Sequence, residues 1–519
     1  MILSDRTGAK FDHPFARATL DEFFRRALER RPDALAVADP PDREYFTDHP
    51  PRRLTYAQAD RVIAALAQRL RDLGLPIDSI VGIQLPNTVE GVLACLAALR
   101  AGLVPALIPL LWRASEMTAS LGRIGARALI SCRQVGNVDH GELAMVVAAE
   151  TFAIRFVGGF GSELPDGVVP LDDAFVAGHV AIAPLERGDR PSEHVAIVTF
   201  DVTAGGIVPV ARSHAELVAA GTAILMECGS VPDAKILGAF AMSSFAGLAT
   251  TVMPWLLSGG TLVLHQPFSP ESFAAQRAAE RCDVLVVPGS LAVRLREAGL
   301  IGGRDGLKAI IGTWRAPERL SATAPWPSGG TPLIDVSVFG EIGLIASRRG
   351  PGGKSSALLV GRMTGPAREA NAMSVIEVAR TPHGTIALRG PMVPLHPFPP
   401  GVARGDHLRL KVDDDGFIDT DFPCRVERDT KALVVTGGPP GIVSVGGYRF
   451  ALRDLQKLVA QVDEEGSLAA LPDLLAGQRL AGTAADRDAV RQALAEQGAN
   501  PLVVAAFRGR LAGRAPSPG

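Results

Sequence analysis

The chain has 519 residues, too many for one ordinary domain, and its 47% hydrophobic and 21% charged residues suit a globular protein with several cores, not a disordered or fibrous one. Lys and Arg number 53 against 55 Asp and Glu; a net charge of −2 provides no field for a polyanion and argues against nucleic acid as a partner. The five cysteines are far apart with no CxxC pair, so buried free thiols are expected, with neither a disulfide framework nor a zinc site.

The N-terminal stretch MILSDRTGAKFDHPFARATL carries charges where a secretion signal needs an apolar centre. No later run reaches the ~18 apolar residues of a membrane span, so a cytoplasmic protein is expected. Over residues 56–73, Val62, Leu66, Leu70 and Leu73 recur at helical spacing and Gly74 stops the pattern, which predicts an amphipathic helix. SIVGIQL (79–85) reads as a strand, Asn87 and Glu90 as a capping box for an apolar helix through Leu99, and LVPALIPL (103–110) as a second strand. Strand, helix, strand implies a parallel pair with a right-handed crossover.

VAIVTF (195–200) reads as a strand leading into a loop with Thr203, Gly205 and Gly206, after which Ser213 and Glu216 cap a helix to about Cys228. ILGAFAM, a helix-like ATTVMPWLLSG, the strand TLVLH, the helix SPESFAAQRAAER and the strand DVLVVP follow. This alternation predicts α/β architecture with helices covering parallel sheet. Beyond about residue 350 glycine, proline and short strands (TIALRG, HLRLKV, GFIDT, KALVVTG) predict a β-rich subdomain, 350–436, of a large N-terminal domain, 1–436. The breaker cluster 437–441 begins a small α+β C-terminal domain, 437–519. There GIVSVGGYRF is strand-like, RDLQKLVAQV and ADRDAVRQALAEQ are helical, and a tail from about 511 to 519 is expected to be disordered.

At LTYAQADRVIAALAQRL and VGIQLPNTVEGVLACLAALRAGLVP the chain resembles the adenylate-forming superfamily of acyl-CoA synthetases, adenylation domains and firefly luciferase. The loop ending in Ser213 and His214, PWLLSGGTLVL, DVLVVPGSLAVRL, VFGEIG, GTIALRGPMV, DGFIDTD and GIVSVGGYRF recur in that family's order, over roughly residues 20 to 500. The resemblance implies conversion of a carboxylate and ATP to an acyl-adenylate, often followed by transfer to coenzyme A or a carrier thiol. It implies nucleotide contacts, if retained, from Thr203, Gly205, Gly206, Phe339, Gly340 and Asp421. Ser244, beside Ser243, Gly312 and Trp314 would form an acyl pocket, and Gly446 and Gly447 a thioester channel.

Several of the family's groups are missing. Where relatives read approximately T-S-G-T-T-G-x-P-K-G-V, this chain has FDVTAGGIVPV (200–210). Asp201 adds a carboxylate, Val202 a stiff branched side chain, and Val208 replaces the lysine. One carboxylate about 4 Å from a phosphate charge costs roughly 4 kcal/mol at an effective dielectric of ~20. Ile342 and Gly343 stand where the family's Thr and metal-binding Glu belong, with Glu341 two residues early. Pro439 and Pro440 occupy the hinge. No lysine follows Lys457, and Arg510 is a poor substitute for the C-terminal catalytic lysine.

The expectation is therefore a repurposed, non-catalytic member binding an acyl group, a carrier-protein or CoA thioester, or a partner protein. No catalytic or metal-binding residue is assigned. A working acyl-CoA or carrier-protein ligase is the alternative, and only on that reading are ATP, Mg²⁺ and CoA implied; the sequence leaves the oligomeric state open.

Overall fold

A computed structural model describes residues 18–508 apart from 184, 186, 189, 230, 302–305, 328, 365–373, 395–411 and 474. The tail about 511–519, Arg510 and most of HLRLKV lie outside the described residues.

Two sheets with parallel centres organise the chain. The larger runs in the order Gly343–Arg348, Leu333–Phe339, Ala309–Trp314, Val284–Pro288, Lys235–Gly238, Thr261–Leu264, Leu35–Ala38 and Arg53–Thr55, antiparallel only at its two ends. The second runs Gly206–Ser213, Val195–Thr203, Val104–Leu107, Ile80–Ile83, Ala128–Cys132, Phe156–Phe160 and Val169–Pro170. Strands covered on both faces read as unbroken apolar runs, and IVGI, ALISC and AIIGTW are buried at every position. One apolar cluster joins the sheets, taking in Ile83 and Leu107 of one, Val37 and Leu262 of the other, and Ile63 and Leu93 from helices Tyr56–Asp72 and Val89–Ala101. The α/β class expected from the alternation is the class observed.

Helix Val89–Ala101 is apolar all round because it is buried all round. The capping box expected from Asn87 and Glu90 is not formed. Thr88 is the N-cap without a side-chain bond, and Asp39, at the end of strand Leu35–Ala38, accepts from Val89 N at 2.7 Å. Its other oxygen accepts from Arg43 at 2.5 Å and from Arg52 N at 2.8 Å, and Arg43 reaches Glu90 at 2.8 Å. Asn87 instead donates to the carbonyls of Gly238 and His265. A buried ion pair from the large sheet thus replaces a local cap.

The glycine-rich stretch beyond residue 350 forms a five-stranded antiparallel sheet, Gly361–Thr364 through Leu433–Val435. A four-stranded sheet follows, in the order Tyr448–Ala451, Ile442–Val445, Gly477–Thr483 and Ser467–Asp473. The expected helices are there, as Leu452–Ala460 and Arg487–Glu496. The hairpin between them was not foreseen, since alanine, leucine and glycine in SLAALPD and GQRLAGT give no clear alternation. Val459, Leu494 and Phe507 belong to a separate apolar cluster here. All five cysteines are buried and unpaired. Among the described residues, no helix is long and apolar enough to cross a membrane.

Removing Asp39 leaves Arg43, 2% exposed, with one carboxylate, Glu90, in place of two, and uncaps a buried helix. Asp39→Ala is expected to cost about 2–3 kcal/mol, read as a lower melting temperature, with an unchanged melt counting against this role. Burial also pushes the pKa of His140 down to about 4 and that of His214 to about 3. The unfolded chain takes up these protons near pH 6.5 and the folded chain does not. Their contribution is present above pH 6.5 and lost as pH falls toward the folded values, about 2 kcal/mol per histidine by pH 5. Melting followed from pH 7 to 5 should show this fall, and His214→Asn should flatten it.

Candidate functional site

A cavity of about 340 Å³ opens where the carboxyl ends of both sheets converge. Its walls are residues 85–87 after strand Ile80–Ile83, 109–112 after Val104–Leu107, 239–241 after Lys235–Gly238, 265–266 after Thr261–Leu264, and Arg315 after Ala309–Trp314. Open α/β sheets bind ligands outside these strand ends, because the loops there are free to vary over a fixed scaffold. The hairpin of Ile442–Val445 and Tyr448–Ala451 contributes Ser444, Gly446, Gly447, Tyr448 and Arg449 to the lining.

The stretch expected to be a phosphate loop is a closed β-hairpin. Val195–Thr203 pairs antiparallel with Gly206–Ser213 as far as Thr203 opposite Gly206, leaving Ala204 and Gly205 as the turn. Thr203 Oγ1 accepts from Gly205 N at 3.2 Å and donates to Gly206 O at 3.1 Å, so both are satisfied within the turn. Thr203, Gly205 and Gly206 do not border the cavity. Branched residues explain the change: Val202 lies opposite Ile207 and Val208 opposite Asp201, a pattern suited to strands. As folded, the Gly205 amide is occupied within the turn, and the Asp201 carboxylate is held by Arg449. Helix His214–Cys228 begins on the expected capping box of Ser213 and Glu216.

Asp201 is 3% exposed. It accepts from Val202 N at 2.7 Å and from Glu341 N at 2.9 Å, and forms an ion pair with Arg449 of the overlying hairpin. Gly340, at φ 58°, lies against that pair: a Cβ there would come 2.6 Å from Arg449 Nη1. Phe339 is buried edge-on against Phe422, with ring centroids 5.3 Å apart. Of Phe339 and Gly340, only Gly340 borders the cavity.

Glu341 Oε2 accepts from Phe245 N at 2.7 Å, at the start of the helical stretch 245–258. Burial pushes its pKa up, opposed by Arg212. Arg212, 1% exposed, lies 3.8 Å from the centre of the Phe245 ring and donates to the carbonyls of Glu341 and Ile342. Burial lowers its pKa to about 10. Glu341 is thus spent on a helix N-terminus, which its dipole favours. Among the described residues no cluster of three or more His, Cys, Asp or Glu could hold a metal ion.

Ser243 and Ser244 both border the cavity. Ser244 Oγ accepts from Gly247 N at 3.2 Å and from Arg315 Nη2, while Arg315 Nη1 donates to Gly447 O at 2.8 Å. Gly446 and Gly447 make the hairpin turn at φ 56° and 94°, both on the lining. Gly312 and Trp314 lie elsewhere than the acyl wall expected of them. Gly312 packs under Leu333, and Trp314 lies over Gly289 with its Nε1 donating to Asp335 at 2.9 Å. Alternation along the strand end instead brings Arg315 to the cavity. Asp421, expected to contact nucleotide, is exposed on a bulge at φ 59°, and its neighbour Phe422 borders the cavity. Arg212, Arg315 and Arg449 were not expected from the sequence, although Arg449 lies within GIVSVGGYRF and Arg315 follows Trp314 directly.

Comparisons with known proteins match the fold described above. A family model described as AMP-binding enzyme matches residues 24–333. The chain is 26% identical over 494 residues to the 2-hydroxy-7-methoxy-5-methyl-1-naphthoate–CoA ligase of Streptomyces carzinostaticus, covering 91% of this chain and 84% of that one. It is 27% identical over 480 residues to the salicyl-AMP ligase/salicyl-S-ArCP synthetase of Mycobacterium tuberculosis, covering 89% and 80%. The fold matches the amide bond synthetase McbA of Marinactinospora thermotolerans with a TM-score of 0.68 at 17% identity, over 93% and 94% of the two chains.

Asp201 and Arg449 hold the hairpin over the cavity. Asp201→Asn is expected to speed hydrogen exchange in residues 442–451 about tenfold, equivalent to ~1.4 kcal/mol of local opening. Gly340→Ala should do the same by driving the pair apart; unchanged exchange in both variants would show that the ion pair does not hold this hairpin.

Proposed function

The chain belongs to the AMP-binding enzyme family, and on that premise we propose that it keeps the acyl side of the family's site without the nucleotide side. On this reading it binds an aromatic carboxylic acid, or the acyl group of its thioester, and does not adenylate it. The observation that carries this is the buried pair of Asp201 and Arg449 beneath the closed hairpin, where relatives hold phosphates. The pair takes up the Arg449 guanidinium, and the paired strands withhold backbone amides that would otherwise bind phosphate.

The aromatic preference draws support from the walls, which include Trp112, Phe200, Phe240, Phe268 and Tyr448. It draws support also from the relatives, which are named for a naphthoate and a salicylate. The closed pose finds support in Pro439 and Pro440, which stiffen the link to the hairpin that roofs the cavity. Similarity to ligases along about nine-tenths of the chain favours a second reading, in which the protein makes an acyl-adenylate with substituted groups and passes it to CoA or a carrier protein.

Pyrophosphate exchange and thermal shift separate the two. With benzoate, salicylate or 2-naphthoate, exchange is expected to stay at the enzyme-free background. These acids should raise the melting temperature in proportion to occupancy, whereas ATP·Mg²⁺ should leave it unchanged. Acid-dependent exchange would establish the ligase instead.

A further inference from the structure

We propose, building on the reading of an aromatic ligand, that Arg315 is the residue that recognises the ligand's carboxylate, so that the cavity selects the free acid over its neutral derivatives. Arg315 follows the buried strand Ala309–Trp314 and borders the cavity. Its two hydrogen bonds go to uncharged oxygens, Gly447 O and Ser244 Oγ, using two of the five N–H donors of a guanidinium. The other cation on the lining, Arg449, has Asp201 as its partner. Among the described residues no carboxylate forms an ion pair with Arg315.

The carboxylates on the same lining are already engaged. Asp201 accepts from Glu341 N and pairs with Arg449, while Glu341 accepts from Phe245 N. Burial weighs against the charge on Arg315, and the attraction of Glu341 offsets it from outside pairing distance. A desolvated guanidinium with neutral partners gains most from an anion, and its planar fork matches a carboxylate. The rest of the wall sets what the anion is attached to. Phe240 lies 5.6 Å from the Arg315 guanidinium, and Phe268 packs edge-on to His265 at 5.5 Å. One cation without a carboxylate partner on an aromatic lining suits a flat apolar body with a single negative end.

The test is calorimetric titration of the full chain with benzoate, salicylate and 2-naphthoate and with benzamide, salicylamide and 2-naphthamide. The acids should bind at least about tenfold more tightly than the matching amides. Arg315→Met should abolish that preference and leave amide affinity within about twofold, and Arg315→Lys should restore part of it. Equal binding of acids and amides by the wild type overturns the inference and leaves the aromatic reading standing. Equal weakening of both by Arg315→Met also overturns it, for the side chain is then only a tie to Gly447. If none of the six compounds binds, the aromatic reading itself fails and this inference with it. Should Arg315→Met not fold, the wild-type comparison of acid with amide decides alone.

Discussion

A carboxylate buried at Asp201 has to be satisfied from several directions at once, and the surroundings of the cavity follow from how this is done. One oxygen takes the amide of Glu341 and the other takes Val202 N and the guanidinium of Arg449. The first bond fixes the turn after Leu333–Phe339 and needs a residue without a Cβ at Gly340. The second ties a hairpin far along the chain to the end of Val195–Thr203. Breaking a buried pair leaves an uncompensated charge, so each tie holds the others in place. The sheet ends, the Gly340 turn and the roof therefore form one unit.

A second layer of charge lies behind this one. Arg212 is fully buried, cups the Phe245 ring and holds the carbonyls of Glu341 and Ile342, while Glu341 turns its carboxylate to Phe245 N. Glu341 and Ile342 belong to the landmark VFGEIG, in which Glu341 stands two residues before the family's glutamate position. Their bonds fix the backbone of this loop against the helical stretch 245–258. Ser244 connects the two layers, since its oxygen caps the same helix and accepts from Arg315.

Much of the scaffold was legible because the parallel strands are buried on both faces. IVGI, VLVV and AIIGTW can be strands only if something covers each side, and the intervening helices supply the cover. The C-terminal hairpin Ser467–Asp473 with Gly477–Thr483 was not legible, because its alanines and glycines carry no period. The site was legible in position more than in geometry. Asp201, Val202 and Val208 were visible as departures, but the register that makes them paired strands depends on tertiary packing of Val208, 2% exposed, and not on any local signal. Trp314 shows the limit most plainly: a one-residue alternation at the end of a strand turns it toward Asp335 and leaves the cavity to Arg315. Asn87 shows the same, for a cap that looked local is displaced by Asp39 from another strand.

Arg315 reaches the ligand space and the roof with the same head group, and this sets how the two affect each other. It holds Gly447 O from below, and Gly447 is a glycine at φ 94° in whose place a Cβ would come within 2.8 Å of the Arg315 side chain. The roof thus rests on the group assigned to the carboxylate. A ligand that used the remaining donors of the guanidinium would fix its orientation and reinforce the bond to Gly447. A ligand that displaced that bond would loosen the roof. Only the difference in affinity between closed and open roof determines which happens, and the tie between Asp201 and Arg449 sets the starting point toward closed. The ties from Asp201 to Arg449 and from Arg315 to Gly447 both act on this hairpin, so displacing it breaks an ion pair and a hydrogen bond together.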